Sequence, residues 1–261
     1  MRRTVVASVL ERPRRLGTRP LLLRGEAASW PATRRWHDPS YLCEKAGKDR
    51  LVSVERSDDG RFSYASGHGR TTVPLGLMLE HFAHVTASPG NGPAQIYAAM
   101  LPIDELSPTL REDIEVPRQC PSTDPSVNLW LGLDASTPLH WDASDNLLVQ
   151  VCGRKRVRLY APGESRRLHP FRNSVDGPRN ASQIVDIAAA EAAPERWPGF
   201  ADAVWEEASL GTGDMLFIPA GWWHATTSER PDSHEPYNLS INFWWDGLER
   251  QHDISRSVVS L

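Results

Sequence analysis

At 261 residues, 40% of them hydrophobic and 24% charged, the chain is long enough to bury a sizeable core and too apolar to stay disordered. A formal net charge of -4 argues against a general nucleic-acid binder, though a local basic groove stays possible. No apolar run reaches the roughly 18 residues of a membrane-spanning helix, so no membrane partner is expected.

In chain order, the first segment carries Arg2, Arg3, Arg12, Arg14, Arg15 and Arg19 against one acid, Glu11. Such a composition suits an organelle transit peptide. The segment nevertheless runs straight into a strand without a Ser-rich linker, so it reads as a short amphipathic lead-in built on Val5, Val6, Val9 and Leu10. The expectation is an intracellular protein, cytoplasmic or nuclear, with an organelle as the open alternative. Strands are predicted at Leu21–Arg24, Leu51–Glu55, Gln95–Met100, Leu129–Leu133, Leu147–Cys152, Arg156–Tyr160, Met215–Ile218 and Leu239–Trp245. Helices are predicted at Pro39–Ala46 and Leu75–Val85, in the Ala-rich stretch Val185–Ala193, and at Ala201–Ala208. The 18 glycines and 21 prolines are scattered, as many short elements joined by turns require. One domain over residues 1–261 is expected, with a helix-and-strand cap over 1–110 and a β sandwich or barrel over 120–250. Cys43, Cys120 and Cys152 are odd in number and widely spaced, so they read as free thiols.

Two segments carry chemistry. In Thr137-Pro-Leu-His-Trp-Asp142, His140 and Asp142 stand at i and i+2. On a strand they share a face and can grip one ion. In Gly213-Asp-Met-Leu-Phe-Ile-Pro-Ala-Gly-Trp-Trp-His224, a buried strand runs to a turn, and His224 can add a third ligand once the sheet folds back. Two histidines and one carboxylate with open positions are the ligand set of non-haem Fe(II) oxygenases. The other seven histidines (His37, His68, His81, His84, His169, His234 and His252) read as surface or structural.

Alternation adds two features. Lys155 shares a face with Val157 and Leu159, whereas Arg154, Arg156 and Arg158 share the other and read as solvated. A lysine on an apolar face needs an anion, or it snorkels out at the strand end. Farther on, Asn238, Ser240, Asn242 and Trp244 form a polar row opposite Leu239, Ile241, Phe243 and Trp245. That row suits a ligand cavity, or else Asn242 faces solvent.

At these residues the chain is similar to the JmjC (cupin-type) Fe(II)- and 2-oxoglutarate-dependent oxygenases. The similarity runs through "RPLLLRGEAASWPATRRW", "IYAAMLPIDELSPTLREDIEVPRQC", "NLWLGLDASTPLHWDASDNLLVQVCGRKRVRLYAP", "GDMLFIPAGWWHATTS" and "LSINFWW". It implies a mainly β fold, a double-stranded β-helix or jelly roll buttressed by N-terminal α-helices. It also implies Fe(II), 2-oxoglutarate and O2 as cofactors. His140, Asp142 and His224 match the iron triad. Lys155 matches the lysine that pairs with the far carboxylate of 2-oxoglutarate, and Thr137 and Tyr97 the hydroxyls that share it. Asn146 matches a polar residue beside the cosubstrate, and Asn242 stands where members vary between Asn and Ser.

Within the family the chain is nearest to the small hydroxylases of protein side chains. There Glu55 matches an acid that contacts a substrate guanidinium, Trp130 matches an aromatic wall, and Met100 departs from a polar contact. A protein or peptide substrate is implied, with nucleic acid disfavoured. The short tail after Trp245 suggests a monomer. The alternatives are an N-methyl-lysine demethylase, a tRNA-modifying hydroxylase or a non-catalytic cupin binding module.

Overall fold

A computed structural model of the chain describes residues 3–4, 16–57, 62, 69–87, 95–172, 177–229 and 235–246. The amphipathic lead-in at Val5–Leu10 and the tail from residue 247 on, which bears on the monomer expectation, lie outside the described residues. Among the described residues no helix is long and apolar enough to cross a membrane.

Among the described residues thirteen strands form two sheets. In chain order they are β1 (Arg3–Thr4), β2 (Leu21–Leu23), β3 (Leu51–Ser57), β4 (Arg70–Pro74), β5 (Gln95–Pro102), β6 (Ser126–Gly132), β7 (Ser136–Trp141), β8 (Asp145–Cys152), β9 (Lys155–Tyr160), β10 (Trp205–Leu210), β11 (Met215–Ile218), β12 (Trp223–Ser228) and β13 (Asn238–Trp245). The larger sheet runs β2-β11-β8-β13-β6-β5-β3-β4 and the smaller β1-β10-β9-β12-β7. All pairings are antiparallel except that of β1 with β10. This is the expected jelly roll, two sheets laid face to face.

Helices α1 (Pro31–Arg35), α2 (Pro39–Ala46), α3 (Leu75–Ala87), α4 (Ile103–Leu106) and α5 (Pro108–Arg111) belong to the N-terminal part, and α6 (Ile187–Glu191) lies between β9 and β10. Local chemistry sets α2: the Asp38 carboxylate accepts from the Ser40 N–H, Pro39 opens the first turn, and Gly47 ends it at φ 88°. The N-terminal helices cover the outer face of the larger sheet, whereas α6 packs on the smaller one. Trp36, Met78 and Phe82 join Leu129, Leu131, Leu239, Ile241 and Phe243 in the main core. A buried hub ties them down, where Asp113 accepts from Trp36 Nε1 at 2.8 Å, Tyr41 Oη at 2.7 Å and Arg35 Nη1 at 2.9 Å. Cys43, Cys120 and Cys152 are free thiols.

Two expectations need correction. Ala201–Ala208 is not a helix: a 3-10 turn spans Phe200–Asp202, and β10 takes over from Trp205. Glu206, Ala208 and Leu210 are buried in alternation, and β10 pairs residue for residue with β9, so tertiary pairing overrides a weak local helix preference. Nor is Arg158 part of a freely solvated face. Its guanidinium lies 3.6 Å from the centre of the Trp205 ring, pairs with Glu191 at 2.5 Å, and leaves the side chain 14% exposed.

Candidate active site

The two sheets enclose a cavity of about 80 Å³ whose lining comes from both. His140, Lys155, His224 and Thr226 point in from the smaller sheet; Tyr97, Trp130, Asn146, Asn242 and Trp244 point in from the larger. Every sequence-selected residue except Glu55 is on this lining. A wider hollow of about 330 Å³ lies under α6 on the other face of β9 and β12, away from the metal-ligating cluster.

Strand register builds the metal site. β7 and β12 pair so that His140 and His224 are direct cross-strand partners, with ring centres 4.3 Å apart. Asp142 follows β7 and closes the triangle, its Oδ1 at 3.8 Å from His140 Nε2 and its Oδ2 at 3.6 Å from His224 Nε2. The three are the one group of potential metal ligands among the described residues whose ligand atoms lie within 4.8 Å of one another.

The hydrogen bonds prepare the imidazoles. His140 Nδ1 faces the Pro138 carbonyl at 2.8 Å, and His224 Nδ1 faces that of Trp222 at 3.0 Å. Each Nδ1 must therefore carry the proton, which leaves each Nε2 with a lone pair on the side of Asp142. Burial, and then the neighbouring His140, push the His224 pKa down to about 4. His224 is thus the neutral base a metal ion needs at neutral pH. The donor set and its tautomers fit a divalent transition metal with open coordination positions.

Beside the metal site lies a polar recess. Lys155, at the start of β9, is 3% exposed, and its Nζ meets Ser240 Oγ of β13 at 2.5 Å. Burial lowers its pKa to about 7, and among the described residues no carboxylate pairs with it. The Thr137 and Thr226 hydroxyls lie 2.8 Å apart across β7 and β12. Among the described residues, the side-chain oxygens of Asn146 and Asn242 are buried without a hydrogen-bond partner, as are the indole N–H groups of Trp130 and Trp244. Buried polar groups in folded proteins are nearly always satisfied, so this concentration marks a ligand position. Tyr97 is buried, with its pKa raised by desolvation and then by the Glu55 charge. Gly132 makes room for it, since a Cβ there would come within 2.7 Å of the Tyr97 ring.

Glu55 sits one strand out. It is the cross-strand partner of both Tyr97 and Arg70, and its Oε1 accepts from Arg70 Nη2 at 3.0 Å and Nε at 3.2 Å. It flanks Tyr97 without reaching the cavity wall. Asn242 is 1% exposed and faces inward, which removes the solvent-facing alternative. Sequence reasoning passed over Thr226, although it stands at i+2 from His224 and so shares its face. It also assigned no role to Ser240 or Trp244, which the polar row of β13 already contained.

A sequence profile described as a cupin-like domain covers residues 10–251. Lysine-specific demethylase 8 of Xenopus tropicalis is 31% identical, over 87% of this chain and 48% of its own. The tRNA wybutosine-synthesizing protein 5 of Gallus gallus is 32% identical, over 88% and 71%. The bifunctional peptidase and (3S)-lysyl hydroxylase JMJD7 of Homo sapiens is 25% identical, over 93% and 81%. The chain spans about half the length of several of its curated relatives.

Proposed function

Because the chain belongs to the cupin-like JmjC oxygenase family, we propose that it is an Fe(II)- and 2-oxoglutarate-dependent oxygenase that hydroxylates a protein side chain, arginyl or similar. The observation that carries this reading is the pairing of two half-sites in one cavity: a His-Asp-His cluster with both Nε2 atoms turned toward Asp142, and a buried lysine with which, among the described residues, no acid pairs.

In this reading His140, Asp142 and His224 hold Fe(II). Lys155, with the hydroxyls of Thr137, Tyr97 and Ser240, holds the far carboxylate of 2-oxoglutarate, and Asn146 and Asn242 border it. A bound dicarboxylate offsets the cost of burying the ammonium, which is severe for a lone cation. The metal and its cosubstrate supply one overall oxidation: substrate C–H, O2 and 2-oxoglutarate become C–OH, succinate and CO2. The protein's own part is to position the C–H bond beside the open coordination positions and to keep the site dry. Trp130 supplies an apolar wall for the target side chain. Glu55, which already holds a guanidinium in Arg70 one strand beyond the cavity wall, would be a second substrate contact outside the cavity.

An N-methyl group oxidised in the same way would leave as formaldehyde, so demethylation differs only in the carbon presented. The tRNA reading draws on one relative's name, and it requires binding that weakens steeply with salt. The first test is an anaerobic titration of apo-protein with Fe(II) and 2-oxoglutarate, following the visible charge-transfer band. The expected band needs both components and is lost in His224→Ala. Its absence from folded wild-type protein would overturn the oxygenase reading.

A further inference from the structure

Met100 is the one described residue on the cavity lining that is largely exposed, at 44%, so it stands at the opening. Its placement is not what a regular strand would give. Tyr97 and Met100 are an odd number of residues apart and would face opposite sides of β5. The register with β6 shifts between Ala98 and Leu101: Ala98 pairs with Leu131 and Leu101 with Leu129, so β5 carries one extra residue. This bulge keeps Ala98 and Leu101 in the core and brings both Tyr97 and Met100 to the cavity. The backbone of Met100 takes φ 54°, a left-handed conformation that glycine adopts freely and a long side chain resists. A bulge of this kind is easiest with glycine, yet the chain keeps a methionine there. Strain retained at the rim of a site points to a use for the side chain.

The surroundings indicate the use. Asp142 and Lys155 are the only charged residues on the described lining, and both belong to the metal and dicarboxylate positions. Around the opening Met100 is joined by the rings of Trp130 and Trp244, packed edge to face with centres 6.4 Å apart. A thioether chain is unbranched, soft and conformable, suited to methylene groups and offering no hydrogen-bond donor to a polar target.

We propose that Met100 is a specificity-determining residue: it packs against the methylene stem of the target side chain, so the site takes long-stemmed residues such as arginine or lysine and rejects short polar ones such as asparagine or histidine. This rests on the oxygenase reading above and narrows its substrate class.

The test uses the full chain loaded with Fe(II) and 2-oxoglutarate. The probes are synthetic peptides with randomised flanks and Arg, Lys, Asn or His fixed at the centre, read by a gain of one oxygen in mass and by succinate. Wild-type protein is expected to favour the Arg or Lys pools at least tenfold over Asn and His in kcat/KM. Met100→Gly and Met100→Asn, both compatible with the left-handed backbone, should bring that ratio near one, chiefly through KM. Their Tm should equal or exceed that of wild type, because the strain is relieved. A ratio unchanged in both variants overturns the proposal, as does a charge-transfer band in wild type with no turnover of the Arg or Lys pools. Loss of Tm in both variants would mean that Met100 serves the fold instead. Absence of the band in wild type is the separate failure of the oxygenase reading, and the proposal fails with it.

Discussion

The two faces of β13 are equally buried and opposite in character. On one, Leu239, Ile241 and Phe243 are 0% exposed and packed into the main core beneath the helices. On the other, Ser240 and Asn242 are 0% and 1% exposed, yet among the described residues Ser240 meets an ammonium that no acid pairs with, and Asn242 and Trp244 each leave a polar atom without a partner. The first face is finished by the fold itself. The second is left unfinished by the described residues. On this strand burial alone therefore does not separate core from site, and hydrogen-bond satisfaction does.

The sharpest break in this comparison comes from one substitution on each face. Phe243→Ala should cost about 3–5 kcal/mol of stability, the usual range for emptying a large core position, and Tm should fall by many degrees. Asn242→Leu, on the next residue, should leave the ligand-free protein as stable or more so, because it removes a buried acceptor that has no donor. Its loss should appear as weaker 2-oxoglutarate binding by calorimetry. A large drop in stability from Asn242→Leu would show that the polar face is as complete as the apolar one.

Lys155 sharpens the same contrast from the neighbouring sheet. Breaking a buried ion pair by removing one member typically costs about 3–5 kcal/mol. Lys155→Met should therefore raise the 2-oxoglutarate requirement by about 100-fold or more, while Fe(II) binding changes by less than about threefold. Equal loss of both would reassign the residue to the fold.

Gly132 tests how far the core face serves the site face. Its backbone needs no special conformation, but a methyl there would stand 2.7 Å from the Tyr97 ring. Gly132→Ala should thus displace Tyr97, with about 1–3 kcal/mol lost to overpacking and 2-oxoglutarate bound several-fold more weakly. Adding Tyr97→Leu should restore Tm without restoring cosubstrate affinity. If the single variant binds 2-oxoglutarate normally, Tyr97 is packing and not part of the recess.

Much of this contrast is legible in the sequence. The alternation of β13 gives both faces, and the i, i+2 spacing of His140 and Asp142 gives half the metal site. The strands that escape a propensity reading are β1, β4, β7, β10 and β12. β7 contains Pro138, and β10 contains two glutamates, so their strand character comes from neighbours and not from composition. The facing of His140 and His224 across β7 and β12 is a register, which no single segment encodes. The bulge that turns Met100 into the cavity depends in the same way on pairing with β6. Resemblance brought Glu55 to notice, but the opposed Arg70 that holds its carboxylate is a fact of cross-strand geometry.

The smallest effect is one of pH, and it bears on whether the polar face waits for an anion. Burial lowers the Lys155 ammonium to about 7, against an ordinary lysine value of 10.5. Between these values the unfolded chain holds more protons than the folded one, so the contribution of Lys155 to stability rises with pH there, by at most about 1.4 kcal/mol per unit. Below about pH 7 both states are protonated and that slope vanishes. A bound dicarboxylate reverses the preference, because it needs the ammonium charged. Above about pH 7, 2-oxoglutarate binding must then take up a proton and weaken, by up to about tenfold per pH unit. Calorimetry from pH 6.5 to 9 in buffers of different ionisation heat reads the proton uptake directly. Lys155→Met serves as the reference that removes the pH dependence of the metal ligands. A wild-type profile that parallels the variant, with no proton taken up, would mean that the ammonium and the cosubstrate do not meet.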